Sequence, residues 1–115
     1  MHQDAVSIFE TEYGSVFLCK DCGTVHVEFG NIILEFAPCG FDKFREGLNT
    51  IDFAAIEKAN HAYLYRRKLV LSFENACAKG AFHLWEIFRL RELVNGAAFV
   101  LAQRHLSEAA QARLN

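Results

Sequence analysis

The chain has 115 residues, of which 52% are hydrophobic and 23% are charged, with seven glycines and one proline. This composition excludes an intrinsically disordered chain and a collagen-like or Pro/Gly-rich chain, and the length predicts a single domain spanning residues 1–115. The formal net charge of −2 provides no general attraction for nucleic acid or for anionic membranes, so we expect neither as a partner.

Charge is distributed unevenly along the chain. Residues 1–57 carry ten acidic and three basic side chains, whereas residues 58–115 carry nine basic and four acidic ones. Two interpretations stay open. The two halves pack together so that their surfaces largely cancel, or opposite faces meet in a homodimer.

No segment is typical of membrane targeting. The first residues lack a basic and then apolar leader, and the longest uninterrupted apolar run, Ala97 to Ala102, is far shorter than the about 18 residues of a membrane span. We therefore expect a cytoplasmic protein, in which the four cysteines are thiols or metal ligands rather than disulfides.

Alternating apolar and polar residues in the first third of the chain predict an antiparallel meander. Its strands are expected at residues 7–10, 16–19, 24–29 and 32–36, with a tight turn at Gly30-Asn31, where both residue types accept a positive φ. Further strands are expected at residues 63–73 and 81–84. The sequence thus predicts an α+β fold with one antiparallel sheet of five to six strands.

Helical spacing predicts short helices over residues 41–48 and, capped by Asp52, over residues 53–60. A long C-terminal helix is expected because apolar residues recur every three or four positions from Ile87 to Leu101. Asn95-Gly96 can end this helix or be tolerated within it, and the unbroken apolar stripe favours one helix to about Ala112. These helices are expected to cover one face of the sheet.

The predicted core joins the inward positions of the sheet to the apolar faces of the helices. The sheet positions are Leu18, Val25, Val27, Phe29, Leu34, Phe36, Leu69, Leu71 and Phe73, and the helix positions are Phe41, Phe44, Ile87, Leu90, Val94 and Leu101.

The apolar pattern also repeats at an offset of 46 residues. In this alignment Phe41, Phe44 and Leu48 correspond to Ile87, Leu90 and Val94. Each half of the chain is therefore predicted to form a hairpin followed by a helix. An internal duplication produces such a pattern, and so do two unrelated segments that share a periodicity.

The segment Cys19-Lys20-Asp21-Cys22-Gly23 is the one motif with chemical content. A C-x-x-C-G turn between two strands is typical of a zinc knuckle, in which two sulfur ligands converge on one ion. Tetrahedral zinc takes four ligands, and the chain has no second C-x-x-C pair. A metal site with Cys19 and Cys22 as half of its ligands would have to be completed by Cys39, Cys77 or His26.

Two other interpretations of the cysteine pair stay open. Asp21-Cys22-Gly23 suits an ordinary hairpin turn, in which the cysteines act as small hydrophobic residues. A redox role is less favoured, because reactive C-x-x-C thiols owe their low pKa to a helix N-terminus and this pair lies in a β-turn. Zinc is the one cofactor the sequence suggests, and a core of this size does not require it.

Two further groups of side chains contain residue types that act in catalysis or binding. His26, Glu28 and Glu35 share the predicted outward face of a hairpin, where they can supply acid and base groups, although neighbouring strands place such residues together by default. The run His61–Lys68 interleaves aromatic and basic residues, which suits either the binding of a phosphate with stacking of a nucleic-acid base or the solvated start of a strand. His83, at the foot of the long helix, can satisfy the first turn of that helix.

Several of these motifs occur together in one family. Residues 17–48 resemble a family of short uncharacterised bacterial proteins, mostly from Bacteroidetes, in the turn Cys19/Cys22/Gly23, the alternating strand Val25 to Phe29, the turn Phe29-Gly30-Asn31 and the pair Phe41/Phe44. The later Phe82-His83-Leu84 resembles the C-terminal part of that family. The resemblance implies a small α+β domain in a bacterial cytosol, and it carries no assigned activity.

Three functions are consistent with the sequence, and the absence of nucleotide-binding, nucleophile-elbow and H-E-x-x-H motifs makes a non-enzymatic one the first choice. That first function is a small interaction or regulatory domain that binds a protein partner or a second copy through exposed Tyr63, Tyr65, Phe99 and Val100. The second is a structural zinc domain that uses Cys19 and Cys22. The third is a small-ligand binder or enzyme that uses the face around His26 and Glu35.

Overall fold

The structure, a computed structural model, describes residues 5–72 and 79–114. In chain order the elements are β1 (Ala5–Thr11), β2 (Gly14–Cys19), β3 (Val25–Phe29), β4 (Ile32–Phe36), α1 (Pro38–Thr50), α2 (Phe53–Ala59), β5 (Leu69–Ser72), β6 (Lys79–Phe82) and α3 (Leu84–Leu114). The fold is α+β, as the sequence predicts.

The first four strands form an antiparallel meander in chain order. Val16 pairs with Val27 across β2 and β3, which places two β-branched side chains on the face that forms the core. The β2–β3 and β3–β4 connections turn at Gly23 and Gly30, with φ angles of 70° and 58°. Both angles lie in the left-handed region that glycine tolerates, so the predicted meander and its Gly30-Asn31 turn are confirmed.

The sheet has four strands and not the predicted five to six. In the described part of the chain, β5 and β6 pair only with each other, as a separate antiparallel hairpin in which Leu69 lies opposite Phe82. The connection from β4 to β5 contains α1 and α2, whereas β1 to β4 are joined by short turns. A short turn delivers a strand beside its antiparallel predecessor, whereas a longer connection through two helices lets the next strand begin away from it.

The predicted strand over residues 63–73 is too long. Its described part is a strand only at β5, because the preceding residues turn back on themselves. Lys68 Nζ donates to the Tyr63 carbonyl, and Asn60 Nδ2 donates to the Lys68 carbonyl at 3.0 Å. Phe73, which the sequence places in the core, lies outside the described residues.

The helices agree more closely with the sequence. α1 is longer than predicted and begins at Pro38, whose fixed φ suits the first turn of a helix. Asp52 caps α2 as predicted, because its side chain accepts a hydrogen bond from the Ala55 amide at 3.1 Å. α3 runs for 31 residues without a break at Asn95-Gly96, which confirms the single long helix.

The core lies between the four-stranded sheet and α3. Its buried apolar side chains are Ile8, Val16, Cys19, Val25, Val27, Phe29, Phe41, Leu48, Phe53, Leu69, Phe82, Ile87, Leu90, Leu93, Val94 and Ala97. Six of the residues predicted for the core, Leu18, Leu34, Phe36, Phe44, Leu71 and Leu101, are only partly buried against it.

Gly96 has a packing role in the middle of α3. A Cβ atom at this position would lie well inside van der Waals contact of three carbons of the Phe9 ring in β1. The ring therefore packs directly against the helix backbone and brings α3 close to the sheet. This contact explains a glycine inside a helix, where it costs about 1 kcal/mol of helix stability relative to alanine.

A side chain of α3 holds the end of α1. Arg91 Nη2 donates to the Ile51 carbonyl at 3.0 Å, and Arg91 Nε donates to the Leu48 carbonyl. Carbonyls at a helix end have no partner within the helix, so the guanidinium supplies donors that α1 lacks. The same guanidinium lies over the rings of Phe53 and Phe88, 5.3 Å and 5.6 Å from their centroids.

Candidate functional site

The last part of α3 extends beyond the core. The last buried side chain of the helix is Ala97, and every side chain from residue 105 to residue 113 is exposed. The stretch from Ala102 to Leu114 is about 18 Å long at 1.5 Å per residue. The molecule measures 60 Å along its longest axis and less than half of that along the other two, 28 Å and 26 Å.

Four large apolar side chains of α3 stay exposed. They are Trp85, Phe88, Phe99 and Leu106, which are 52%, 48%, 66% and 69% exposed. The intervals between them are sums of three- and four-residue steps, so all four lie on one side of the helix. The buried side chains Ile87, Leu90, Val94 and Ala97 lie on the other side.

From Phe99 to the end of the helix, the exposed side of α3 consists of a short, regular series of residues. Steps of three, four, three and four residues connect Phe99, Ala102, Leu106, Ala109 and Arg113. We call these five residues the α3 stripe. The stripe begins with an aromatic ring, ends with a guanidinium, and has small or aliphatic side chains between them.

The exposed residues predicted from sequence are exposed with one exception. Phe99, Tyr63 and Tyr65 are 66%, 51% and 64% exposed. Val100 is half-buried and packs against the core, so the prediction for Val100 is wrong. Adjacent residues of a helix point about 100° apart, and Val100 therefore turns towards the sheet while Phe99 faces away from it.

The cysteine motif forms a turn that closes on itself. The Cys19 amide donates to the Thr24 carbonyl at 2.9 Å, and the Gly23 amide donates to the Cys19 carbonyl at 2.8 Å. Cys19 is buried, whereas Cys22 is exposed with its Sγ 3.1 Å from Thr24 Oγ1. A hydrogen bond between the two cysteine side chains, aided by Thr24, lowers the pKa of the Cys22 thiol, and the same bond raises the pKa of Cys19.

The residues predicted to complete a zinc site are dispersed or undescribed. Cys39 is exposed in the first turn of α1, and His26 is buried in the middle of β3. Cys77 lies outside the described residues. Within residues 5–72 and 79–114, no three His, Cys, Asp or Glu side chains lie close enough together to hold a metal ion.

His26 and Glu35 come together as predicted, but in a different setting. They are opposite one another in β3 and β4, with His26 Nδ1 3.4 Å from Glu35 Oε1. The Phe17 ring stacks on the imidazole at a centroid distance of 4.7 Å and an angle of 5°. His26 is therefore only 3% exposed, whereas Glu35 is 62% exposed. Glu28 pairs with Ile33 instead and stays in solvent.

The first turn of α3 is satisfied by a residue that the sequence analysis did not single out. Glu86 Oε1 accepts hydrogen bonds from the His83 amide at 2.8 Å and from Arg67 Nε at 2.7 Å. Burial raises the pKa of Glu86, but these two donors lower it more, and the result is a lowered pKa. A glutamate three residues after the cap is the sequence signal of this arrangement.

Two clefts lie away from the cysteine turn and from the His26–Glu35 pair. One, of about 190 Å³, is apolar and lies between α1, α2 and β5, next to Leu48 and Phe53. The other, of about 450 Å³, lies between the β3–β4 turn and β6, next to Arg67, Lys79 and Glu86. Other residues than His26, Glu35 and the cysteines line both clefts.

The fold and its exposed helix define a small α+β protein with a four-stranded meander, an accessory hairpin and a projecting α3. Residues 1–107 match the model of a family of unknown function, DUF6686, and the chain belongs to this family. Neither the curated proteins nor the solved structures give a match to the chain. No helix within the described ranges combines the length and the hydropathy needed to cross a bilayer.

Proposed function

We propose that this protein is a small non-enzymatic interaction domain of the bacterial cytosol and that it binds its partner along the α3 stripe. The observation that carries the proposal is the exposure of Phe99 and Leu106, at 66% and 69%, on a helix that extends past its own core. Full burial of such a side chain stabilises by about 1.5–3 kcal/mol, so a partner that covers both residues gains a substantial free energy.

The projecting helix itself supports this proposal. Residues 102–113 pack against little of the protein, so this part of α3 is held mainly by its continuity with the packed part of the same helix. Most helical stability in proteins comes from tertiary packing of an apolar face. A partner along the α3 stripe supplies that packing.

The chemistry-bearing side chains give less support to an enzyme or a small-ligand binder. The imidazole of His26 is covered by Phe17, and Glu35 points to solvent outside both clefts. The cytosolic assignment is supported by Cys22 and Cys39, which are exposed thiols. The bacterial assignment rests on the resemblance of residues 17–48 to a bacterial family.

A photoreactive amino acid at position 106 tests the proposal in bacteria that produce the full chain. Irradiation is expected to join the chain to a discrete protein partner, because position 106 lies at the middle of the α3 stripe. The matched control is Ile33 on β4, which is 62% exposed and lies outside the stripe. Equal adducts at both positions, or none at position 106, would contradict the proposed function.

Structural zinc binding is a second candidate, favoured by the cysteine turn. The turn places the two cysteines three positions apart, and the thiolate is the form that binds zinc; the hydrogen bond between the two side chains lowers the pKa of Cys22 and so favours its thiolate, while it raises the pKa of Cys19. Cys19 and Cys22 are the proposed ligands, and Cys39, Cys77 or His26 is proposed to complete the set.

Elemental analysis of protein purified without a tag or chelator tests this candidate. One zinc per chain is expected, and Cys22→Ser should remove it while leaving the fold intact, because Cys22 is exposed. Parallel Cys39→Ser and Cys77→Ser variants identify the remaining ligands. Wild-type protein without zinc, with a Cys22 that reacts freely with thiol reagents, would rule the candidate out.

A further inference from the structure

We propose that the partner on the α3 stripe is a second copy of this chain, packed antiparallel with Leu106 at the twofold axis. The inference rests on the proposed function, since it names the partner of the same surface. Symmetric dimers use one patch twice, so the patch must be complementary to itself. The α3 stripe meets this requirement in one orientation.

The complementarity comes from the positions on either side of Leu106. Phe99 lies seven residues before it, and Arg113 lies seven residues after it. In an antiparallel pair centred on Leu106, the Phe99 ring of each copy meets the Arg113 guanidinium of the other. A guanidinium over an aromatic ring is a favourable cation–π contact, and the dimer contains it twice.

Small side chains let the two helices approach closely. In the same register Leu106 meets Leu106, and Ala102 of each copy, four residues before it, lies within about 1.5 Å along the axis of the level of Ala109 of the other, three residues after it. Contacts of this kind suit the lower part of the usual 8–10 Å range between helix axes. The stripe lies on the side of α3 opposite to the buried Ala97, so the second helix approaches from solvent and does not meet the sheet.

Charge determines the orientation. A parallel pair would place the two Arg113 side chains together, and the stripe has no acidic residue to compensate them. The antiparallel pair separates them by about 21 Å along the helix axis. That distance is more than twice the Debye length of about 8 Å at physiological ionic strength, so their repulsion is screened.

Another protein would have to reproduce this pattern to bind equally well. It would need one group that complements Phe99 and another that complements Arg113, at the matching distance and with small residues between them. The chain already has both groups at that distance. For this reason the stripe fits a second copy better than an unrelated helix.

Sedimentation equilibrium of the full chain over a range of concentrations measures the association. Wild-type protein is expected to form a dimer, and Leu106→Glu is expected to raise the dissociation constant about 100-fold or more, because two carboxylates would then meet at the twofold axis. Glutamate is a good helix former, and circular dichroism checks that the variant keeps its helix. Ile33→Glu is the matched control and should change the constant less than twofold.

Cysteine cross-linking determines the orientation. Ala102→Cys and Ala109→Cys in one chain should form a disulfide between copies, and mass spectrometry of the linked peptides identifies position 102 joined to position 109. Ala102→Cys alone should give no 102–102 disulfide, because those positions lie about 12 Å apart along the axis and a disulfide spans at most about 7 Å between Cα atoms. A parallel pair would give the 102–102 disulfide instead.

Each outcome decides between the inference and the function on which it rests. A purely monomeric chain whose position 106 cross-links to a different protein overturns the inference and supports the proposed function. A dimer that is insensitive to Leu106→Glu, or one joined at 102–102, also overturns the inference. A monomeric chain with no adduct at position 106 overturns both.

Discussion

Asn49 of α1 and Asn95 of α3 exchange side-chain hydrogen bonds, each Nδ2 donating to the Oδ1 of the other at 2.9 Å. The two residues are 46 positions apart, which is the offset of the apolar repeat in the sequence. The amide pair therefore joins equivalent positions in the two halves of the chain, at the place where their helices cross.

Two strand ends and two helix starts follow the same offset. β4 ends at Phe36 and β6 at Phe82, and the helices that follow begin at Pro38 and Leu84. Each half forms a hairpin followed by a helix, as predicted. The starts of the strands and the pairing register do not follow it, because Phe36 pairs with Val25 whereas Phe82 pairs with Leu69 and not with Leu71, so internal duplication and a shared periodicity both stay open.

The Asn49–Asn95 pair should show energetic coupling. Replacing either residue by alanine is expected to lower the free energy of unfolding by about 0.5–1.5 kcal/mol, because each change breaks both hydrogen bonds. The double variant should lose less than the sum of the two, by about 0.5–1 kcal/mol. Urea unfolding of the four proteins measures this cycle, and strictly additive effects would show that the pair contributes nothing.

Gly96→Ala should destabilise the protein although alanine is the better helix former. The new methyl group would collide with the Phe9 ring, and overpacking of this kind costs about 1–3 kcal/mol against about 1 kcal/mol gained in helix propensity. Gly47→Ala in α1 is the matched control, since no atom lies within 4 Å of its added Cβ. Thermal unfolding should show opposite signs for the two variants, and stabilisation by both would refute the packing role.

Arg91→Met should lower the free energy of unfolding by about 2–3 kcal/mol. The change removes the charged donor to the carbonyls of Leu48 and Ile51 and leaves those two carbonyls without it. Arg89→Met is the control, because Arg89 is an exposed member of an ion pair with Glu92 and such pairs contribute at most about 1 kcal/mol. Equal losses in denaturant unfolding would contradict the capping role.

Glu86 should make the stability of the fold depend on pH in the acidic range. The pKa of Glu86 is lower in the folded protein than the value of about 4.3 expected for the unfolded chain. The ionised carboxylate therefore stabilises fully above the unfolded pKa, and this stabilisation is lost as the pH falls through the folded pKa.

Glu86→Gln isolates that contribution, because glutamine keeps the acceptor for the His83 amide and loses the charge. At pH 7 the variant should be about 1 kcal/mol less stable than wild type. Unfolding measured at intervals from pH 7 to pH 3 should show the difference shrinking towards acid. A difference that stays constant would exclude the carboxylate as its source.

Local periodicity was sufficient to predict the meander, the capped α2 and the unbroken α3. Each of these depends on residues that are close in sequence, such as the alternation of Val25 and Val27 or the reach of Asp52 to the Ala55 amide. The separation of β5 and β6 from the main sheet depends on how α1 and α2 pack, because their packing determines where β5 begins. Local sequence patterns do not predict that position.

In the candidate site too, some features follow from local sequence and others depend on the tertiary fold. Alternation placed His26 and Glu35 on one face correctly, but the burial of His26 depends on a ring from another strand, Phe17, directly opposite it. Phe99 and Leu106 could be recognised as apolar from the sequence. Their exposure depends on the tertiary fold: Phe99 lies on the side of α3 that faces away from the sheet, and Leu106 lies beyond Leu101, which still packs against the core.

The two equivalent helices differ in length, with 13 residues in α1 and 31 in α3. Among the side chains that the structure describes, the turns that follow Leu101 contribute none that is buried. Substitutions in those turns therefore escape the selection that folding imposes on the rest of the chain. Binding preference can evolve or be engineered there while the stability of the protein is left unchanged.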